Sequence, residues 1–263
     1  MPQAAHKLLA EWPQVQPLFR WRLRLDEREI TLCLLDLDAP DVAEDLLDAA
    51  EQARASRFRQ EIHARRYRRG RTLMRSVLAE LSAQPPSSLR IDEGPHGKPQ
   101  LAPLPPGAGP AWHFNLSHSG PWALLAAWQG SPLGVDLEVL DHGKQDGPDA
   151  GDDALARRVM TAAEHAEFSL TPPGERAHAF LRTWTRKEAC LKALGVGFQL
   201  EPHRLSLHAQ PAVLWPRGEA RVDAFSPAAP AHPAAAHPGP IHWVDLRLPS
   251  GCPLVAACAW LPD

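Results

Sequence analysis

The chain has 263 residues, 44% of them hydrophobic, and a formal net charge of −3; this is enough apolar content for one large or two small cores, and it excludes a generally basic nucleic-acid binder. No apolar run approaches the length that spans a bilayer. The four cysteines, Cys33, Cys190, Cys252 and Cys258, show no C-x-x-C spacing and no secretory n- and h-region opens the chain, so a reduced cytoplasm is the expected compartment.

In chain order, a Trp/Arg-rich lead precedes the strand "EITLCLLDLD" (29–38). "DVAEDLLDAAEQARASRFRQ" (41–60) has helical periodicity with acids first and bases later, matching a helix dipole. A second helix, "IHARRYRRGRTLMRSVLAELSA" (62–83), is ended by Pro85 and Pro86. "LRIDEGPHGKPQL" (89–101) predicts a short strand and a turn, and residues 103–110 a proline-rich loop. "WHFNLS", "WALLAAW" and "LGVDLEVL" are three strands separated by the tight turns "HSGP" and "QGSP", a pattern that predicts an antiparallel meander. Residues 141–153 read as a polar, mobile Gly/Asp loop, and "DALARRVMTAAEHAEF" (153–168) as one helix. A further helix, "LRTWTRKEACLKALGVGF" (181–198), stops at a glycine turn. Residues 226–240, rich in Ala, Pro and His, form a second expected mobile loop before the closing strands "IHWVDLRL" and "PLVAACAW". Helices and strands recur in similar order on either side of residues 129–131. The expected fold class is α+β: two comparable lobes, 1–129 and 130–263, with any ligand in the cleft between them.

On the helix 181–198, a turn of about 100° per residue clusters Phe180, Leu181, Trp184, Leu191 and Leu194 on one side. Glu188 lands inside that apolar arc and Lys192 at its edge. A carboxylate so placed is costly to desolvate unless a cation, a metal or several donors meet it. In "GVDLEV" the strand period puts Asp136 and Glu138 on one face, about 7 Å apart, and Val135, Leu137 and Val139 on the other. Spacing alone favours a solvated strand face for the two acids; with Glu188 as a third oxygen ligand they form a set suited to magnesium, leaving room for phosphates and water. No His/Cys constellation argues for zinc.

"FNLSHSG" places Ser117 and His118 at a strand end, where Ser117 is also an ordinary turn cap; no Asp partner supports a Ser/His triad. Lys98 in "GPHGKP" stands on a rigid turn, either solvated or set to meet a phosphate. Six arginines between Arg65 and Arg75 suit phosphate groups, with a solvated basic face or a nucleic-acid patch as the alternatives. His232 and His237 read as loop residues.

Taken in order, "GKP", "FNLSHSG", "GVDLE" and "FLRTWTRKEACLKALGVGF" resemble the signature set of the Sfp-type 4′-phosphopantetheinyl transferases over about residues 50–210. The resemblance implies a two-lobed pseudodimer of α+β halves that uses coenzyme A and magnesium. It implies transfer of the 4′-phosphopantetheine arm to a serine of an acyl or peptidyl carrier protein, releasing adenosine 3′,5′-bisphosphate. By the family pattern Asp136, Glu138 and Glu188 hold the magnesium and Lys192 contacts the pyrophosphate. Ser117 and His118 resemble residues that contact the coenzyme's phosphates, Lys98 and Arg66 match basic positions around its adenosine end, and Arg54 is a looser match for the 3′-phosphate. Glu164 matches an acidic position near the metal, and Trp184 a residue that packs to position the helix bearing Glu188.

The chemistry needs no enzyme nucleophile. Attack on the β-phosphate places negative charge on the bridging and leaving oxygens, which magnesium and Lys192 stabilise, while a carboxylate, Glu188 first, takes the proton from the carrier serine. The expected partners are coenzyme A and a carrier protein, with no nucleic acid or membrane, and an internal pseudodimer serves as a monomer. Two other readings remain open at this point: a magnesium-dependent hydrolase of a nucleotide pyrophosphate, and a non-catalytic coenzyme A-binding module.

Overall fold

The structure, a computed structural model, describes residues 18–25, 28–40, 46–94, 96–103, 110–140, 152–209, 217–222, 240–248 and 252–262. Apart from Asp152, Asp153 and Pro240, the loops expected at 141–153 and 226–240 lie outside the described residues, as does 104–109 of the proline loop. The chain divides into two compact units, one of Met1–Asp92 with Pro99–Gln129 and one of Glu93–Lys98 with Gly130–Asp263.

In the first unit β1 (Phe19–Leu25) and β2 (Arg28–Asp36) pair along their length, Phe19 opposite Leu34. The Trp/Arg-rich lead is therefore a strand in its own right. β5 (Trp112–Ser119) and β6 (Trp122–Gln129) form a second hairpin, and the antiparallel sheet runs β1-β2-β6-β5. β2 is interior to this sheet and buried from Ile30 to Leu35 on both faces, which explains its unbroken apolar run. A two-stranded ribbon, β3 (Ile91–Glu93) with β4 (Pro99–Leu101), precedes β5.

Two helices complete this unit. Of the helix expected over 41–60, residues 41–45 lie outside the described residues; α1 (Ala49–Ala55) starts after Asp48, which closes a capping box with Glu51, each side chain accepting the other's backbone N–H. α2 (Glu61–Ser82) matches its periodicity closely and ends at Ala83 in the left-handed region, just before Pro85. Its Leu73, Met74, Val77 and Leu78, at helical spacing, pack on Cys33, Leu35, Phe114 and Leu125 of the sheet.

The second unit holds β7 (Leu133–Val139), β8 (Leu205–Ala209), β9 (Arg217–Val222), β10 (Ile241–Asp245) and β11 (Leu254–Trp260), in the antiparallel order β7-β11-β10-β9-β8. The expected meander is therefore wrong at its third strand: β7 pairs with β11, not with β6. Contacts just before β7 set this pairing. Ser131 Oγ donates to the Leu261 carbonyl, and the Leu261 N–H donates 3.0 Å to Pro132. β8 and β9 were not anticipated.

The helix expected over 153–168 is two, α3 (Asp153–Val159) and α4 (Ala162–Ser169). Thr161 and Glu164 form a second capping box that starts α4 and breaks the run. α5 (Arg176–Leu194) ends at Gly195, φ 69°. Its apolar surface is not one arc but two patches. Ala189, Leu191, Ala193 and Leu194 pack with Trp243, Ala257 and Ala259 of the sheet, whereas Phe180, Leu181 and Trp184 join Ala156, Val159 and Phe168. Arg186 secures the helix to β10, gripping Asp245 at 2.7 and 2.6 Å and lying over Trp243.

Candidate active site

Strand β7 and helix α5 touch backbone to backbone at Gly134. A Cβ there would lie 2.2 Å from the Ala189 carbonyl oxygen and 2.4 Å from the Ala193 nitrogen, so no residue but glycine fits. The strand period puts Asp136 and Glu138 on the face of Gly134, the face turned to α5, while Val135 and Leu137 are fully buried on the other. On the helix Trp184, Glu188 and Lys192 fall four residues apart, a single stripe. The two rows meet. Lys192 Nζ stands 2.5 Å from Asp136 Oδ1, and Trp184 Nε1 donates 3.3 Å to Glu138 Oε1. Trp184 thus packs, as expected, and also orients a carboxylate through its one polar atom.

Glu188 lies between those two contacts along the helix. Its carboxyl is pushed up to about 6, first by burial and then by the charges of Asp136 and Glu138, against the opposing pull of Lys192. The two strand acids and the helix acid therefore share one electrostatic environment. Among the described residues no three His, Cys, Asp or Glu side chains stand ready-grouped around a metal position. In donor chemistry the set fits a hard cation, with carboxylate oxygens that repel one another and no softer ligand.

Glu164, expected near the metal, is committed elsewhere. Its Oε2 meets Lys187 Nζ at 2.6 Å and caps Thr161, and its Oε1 accepts the Leu207 N–H. Lys187, fully buried and also bonded to the Pro202 carbonyl, is a residue to which periodicity gave no role. Lys98 donates 2.8 Å to the carbonyl of Leu133 and 2.6 Å to that of Lys192.

The remaining expected site residues belong to the first unit. Ser117 is buried and His118 exposed, so the two adjacent side chains leave β5 on opposite faces. Arg66 grips Asp38 with Nε at 2.7 and Nη2 at 2.5 Å. Arg54 and Arg71 both lie over the Tyr67 ring. Each arginine of the run has an acceptor within the first unit. Arg65 pairs with Asp38, Arg68 with Glu61, Arg71 and Arg75 with Glu51, and Arg69 donates to the carbonyls of Asp36 and Pro40.

Comparison with known proteins converges on one family. The profile described as the 4′-phosphopantetheinyl transferase superfamily matches residues 132–237, and that of the 4′-phosphopantetheinyl transferase N-terminal region matches residues 40–130. The chain is 35% identical over 188 residues to the 4′-phosphopantetheinyl transferase HetI of a Nostoc species, covering 71% of this chain and 73% of that protein. It is 35% identical over 148 residues to psf-1 of Bacillus pumilus, covering 56% and 57% of the two chains, and 28% identical over 150 residues to Sfp of Bacillus subtilis, covering 57% and 61%. The Gly134 junction and its acids fall within the first profile's span. The chain belongs to the 4′-phosphopantetheinyl transferase superfamily and is a transferase of that class.

Proposed function

We propose that this protein transfers the 4′-phosphopantetheine arm of coenzyme A to a serine of an apo acyl or peptidyl carrier protein, with magnesium held by Asp136, Glu138 and Glu188. The observation that supports the reading is the Lys192–Asp136 ion pair where Gly134 lets β7 touch α5, beside a Glu188 carboxyl that feels the charges of Lys192, Asp136 and Glu138. A bound magnesium ion would neutralise phosphate charge there. Lys192 holds its ammonium beside Asp136 and is the group that moves to, or shares itself with, a pyrophosphate oxygen. Glu188 is the base for the serine hydroxyl. Trp184 fixes the Glu138 carboxylate by its indole N–H.

In the first unit the coenzyme contacts are assigned to Arg54, Arg66, Ser117 and His118. Arg66 carries its ion pair with Asp38 into this role, so a phosphate oxygen would have to share or displace that carboxylate. The exposed His118 imidazole is the readier of the two β5 groups for a ligand. Among the described residues no helix is long and apolar enough to cross a membrane; the proposed setting is the cytoplasm.

The test is the intact mass of an apo carrier protein after incubation with this protein, coenzyme A and magnesium, beside a chelator control. A gain of one phosphopantetheine unit that disappears with chelator is expected. Consumption of coenzyme A with no mass gain on any carrier would overturn the transfer reading in favour of hydrolysis.

A further inference from the structure

Lys98 follows the turn between β3 and β4 and belongs to the second unit. Its two acceptors are not arbitrary carbonyls. Leu133 opens β7 and immediately precedes Gly134, and Lys192 lies in the last turn of α5, where its carbonyl also receives the N–H of Gly195 at 3.2 Å. The last carbonyls of a helix lack onward N–H partners and carry partial negative charge, so an ammonium placed there acts as a C-terminal cap. The lysine stem runs past Gly195, its Cδ 3.9 Å from where a Cβ on that glycine would stand. Burial pushes the ammonium down to about 8. A cation held at that cost is expected to spend its hydrogen bonds on the protein, and two of its three N–H groups do so.

We infer that Lys98 is a positioning residue, pinning the start of the strand that carries Asp136 and Glu138 to the end of the helix that carries Glu188 and Lys192. The assignment rests on the transferase reading and deepens it. Sequence resemblance places this lysine among the coenzyme contacts; its hydrogen bonds place it on the frame of the site. Lys192 presents both ends of itself to this frame, its carbonyl to Lys98 and its ammonium to Asp136. Releasing the clamp lets helix and strand slide at the Gly134 contact, where the spacing of the three acids and Lys192 is set. Misplacement by about 1 Å is enough to cost a reaction about a hundredfold.

Lys98→Met keeps the apolar stem and removes every N–H donor. With apo carrier and saturating coenzyme A, its turnover is expected to fall at least about tenfold while the calorimetric Kd for coenzyme A moves less than about twofold. Lys98→Arg, which can still donate to both carbonyls, is expected to recover most of the lost turnover. In the unliganded protein, exchange of the Gly195 amide is expected to quicken at least about tenfold in the Met variant. A weakened Kd with turnover at saturation intact would make Lys98 a coenzyme ligand and overturn the inference, as would unchanged turnover and exchange. If Lys98→Met does not fold, Lys98→Gln is read in its place by the same criteria. If the wild-type protein modifies no carrier, the transferase reading fails by itself, and amide exchange still decides the clamp: unchanged Gly195 exchange refutes it.

Discussion

Helices α2 and α5 both carry more charge than a surface helix needs, and they resolve it in opposite ways. On α2 each of the six arginines from Arg65 to Arg75 meets an acceptor within the first unit, whether Asp38, Glu51, Glu61 or backbone carbonyls. On the face shared by α5 and β7, Lys192 pairs with Asp136, Glu138 is held by Trp184, and Glu188 is driven above its usual range. The arginine run is the louder signal in the sequence and the quieter one in the structure. A concentration of charge becomes a candidate site when one sign is left in excess against a buried surface, because that excess favours a ligand of opposite charge.

Removing the contact that creates the acidic face gives the largest expected effect. A Cβ at Gly134 would meet backbone at three α5 positions, Ala189, Lys192 and Ala193, and backbone cannot step aside as a side chain can. Gly134→Ala is therefore expected to cost more than the about 1–3 kcal/mol usual for overpacking, up to loss of the folded second unit. A denaturant melt within about 1 kcal/mol of wild type would show that strand and helix are not in contact there. Next is Arg75, 2% exposed, which bonds Glu51 at 2.7 Å, Asp48 at 2.5 Å and the Leu89 carbonyl at 2.9 Å. Arg75→Met takes from buried Glu51 its shorter ion pair, leaving Arg71 at 3.3 Å, and is expected to cost up to about 3–5 kcal/mol, part of it recovered by adding Glu51→Leu. A neutral Arg75→Met would mean that the α2 charges are not structural and would erase the contrast with α5.

Legibility followed the range of the interaction. The core of α2 was readable because its period and its terminating prolines are local, and the face shared by Asp136 and Glu138 because strand alternation is local. The two capping boxes were also written locally, as Asp48 with Glu51 and Thr161 with Glu164, yet periodicity runs through both and hides the breaks. What local reading could not supply is tertiary. Asp38 and Glu51 lie 28 and 24 residues from Arg66 and Arg75, so no local spacing announces these ion pairs. The partner of β7 arrives only with β11, so consecutive strands were read as a meander. Gly134 looked like a spacer before two acids, since nothing near it in sequence reveals the helix backbone against its face.

Glu188 sharpens the comparison from the other side, because its charge is expected to oppose folding. In metal-free protein, with chelator present, its folded-state value of about 6 stands above the unfolded 4.5. The folded state then holds the proton more tightly, so the penalty is fully present above about pH 6 and gone below about pH 4.5. Glu188→Gln is expected to raise stability at pH 8 by up to about 2 kcal/mol and to change it little at pH 4. The same variant, with magnesium restored, is expected to lose turnover by about 10²- to 10⁴-fold if Glu188 is the base. Destabilisation at pH 8 would show that the carboxylate supports the fold, as the acids around α2 do.

The smallest effect belongs to Arg68, and it tests whether burial, not pairing as such, separates the arginines of α2. Arg68 meets Glu61 at 2.8 Å, a distance close to that of Arg75 to Glu51, but the side chains are 38% and 79% exposed against 2% and 7%. Water screens the exposed pair and competes for both partners, and holding two long side chains together costs rotamer entropy. Arg68→Ala is therefore expected to shift stability by no more than about 0.5 kcal/mol, with little change in about 1 M salt. A loss approaching that of Arg75→Met would mean that the α2 charges act as one cooperative network, and the helix would then have to be treated as a unit in which no single arginine is dispensable.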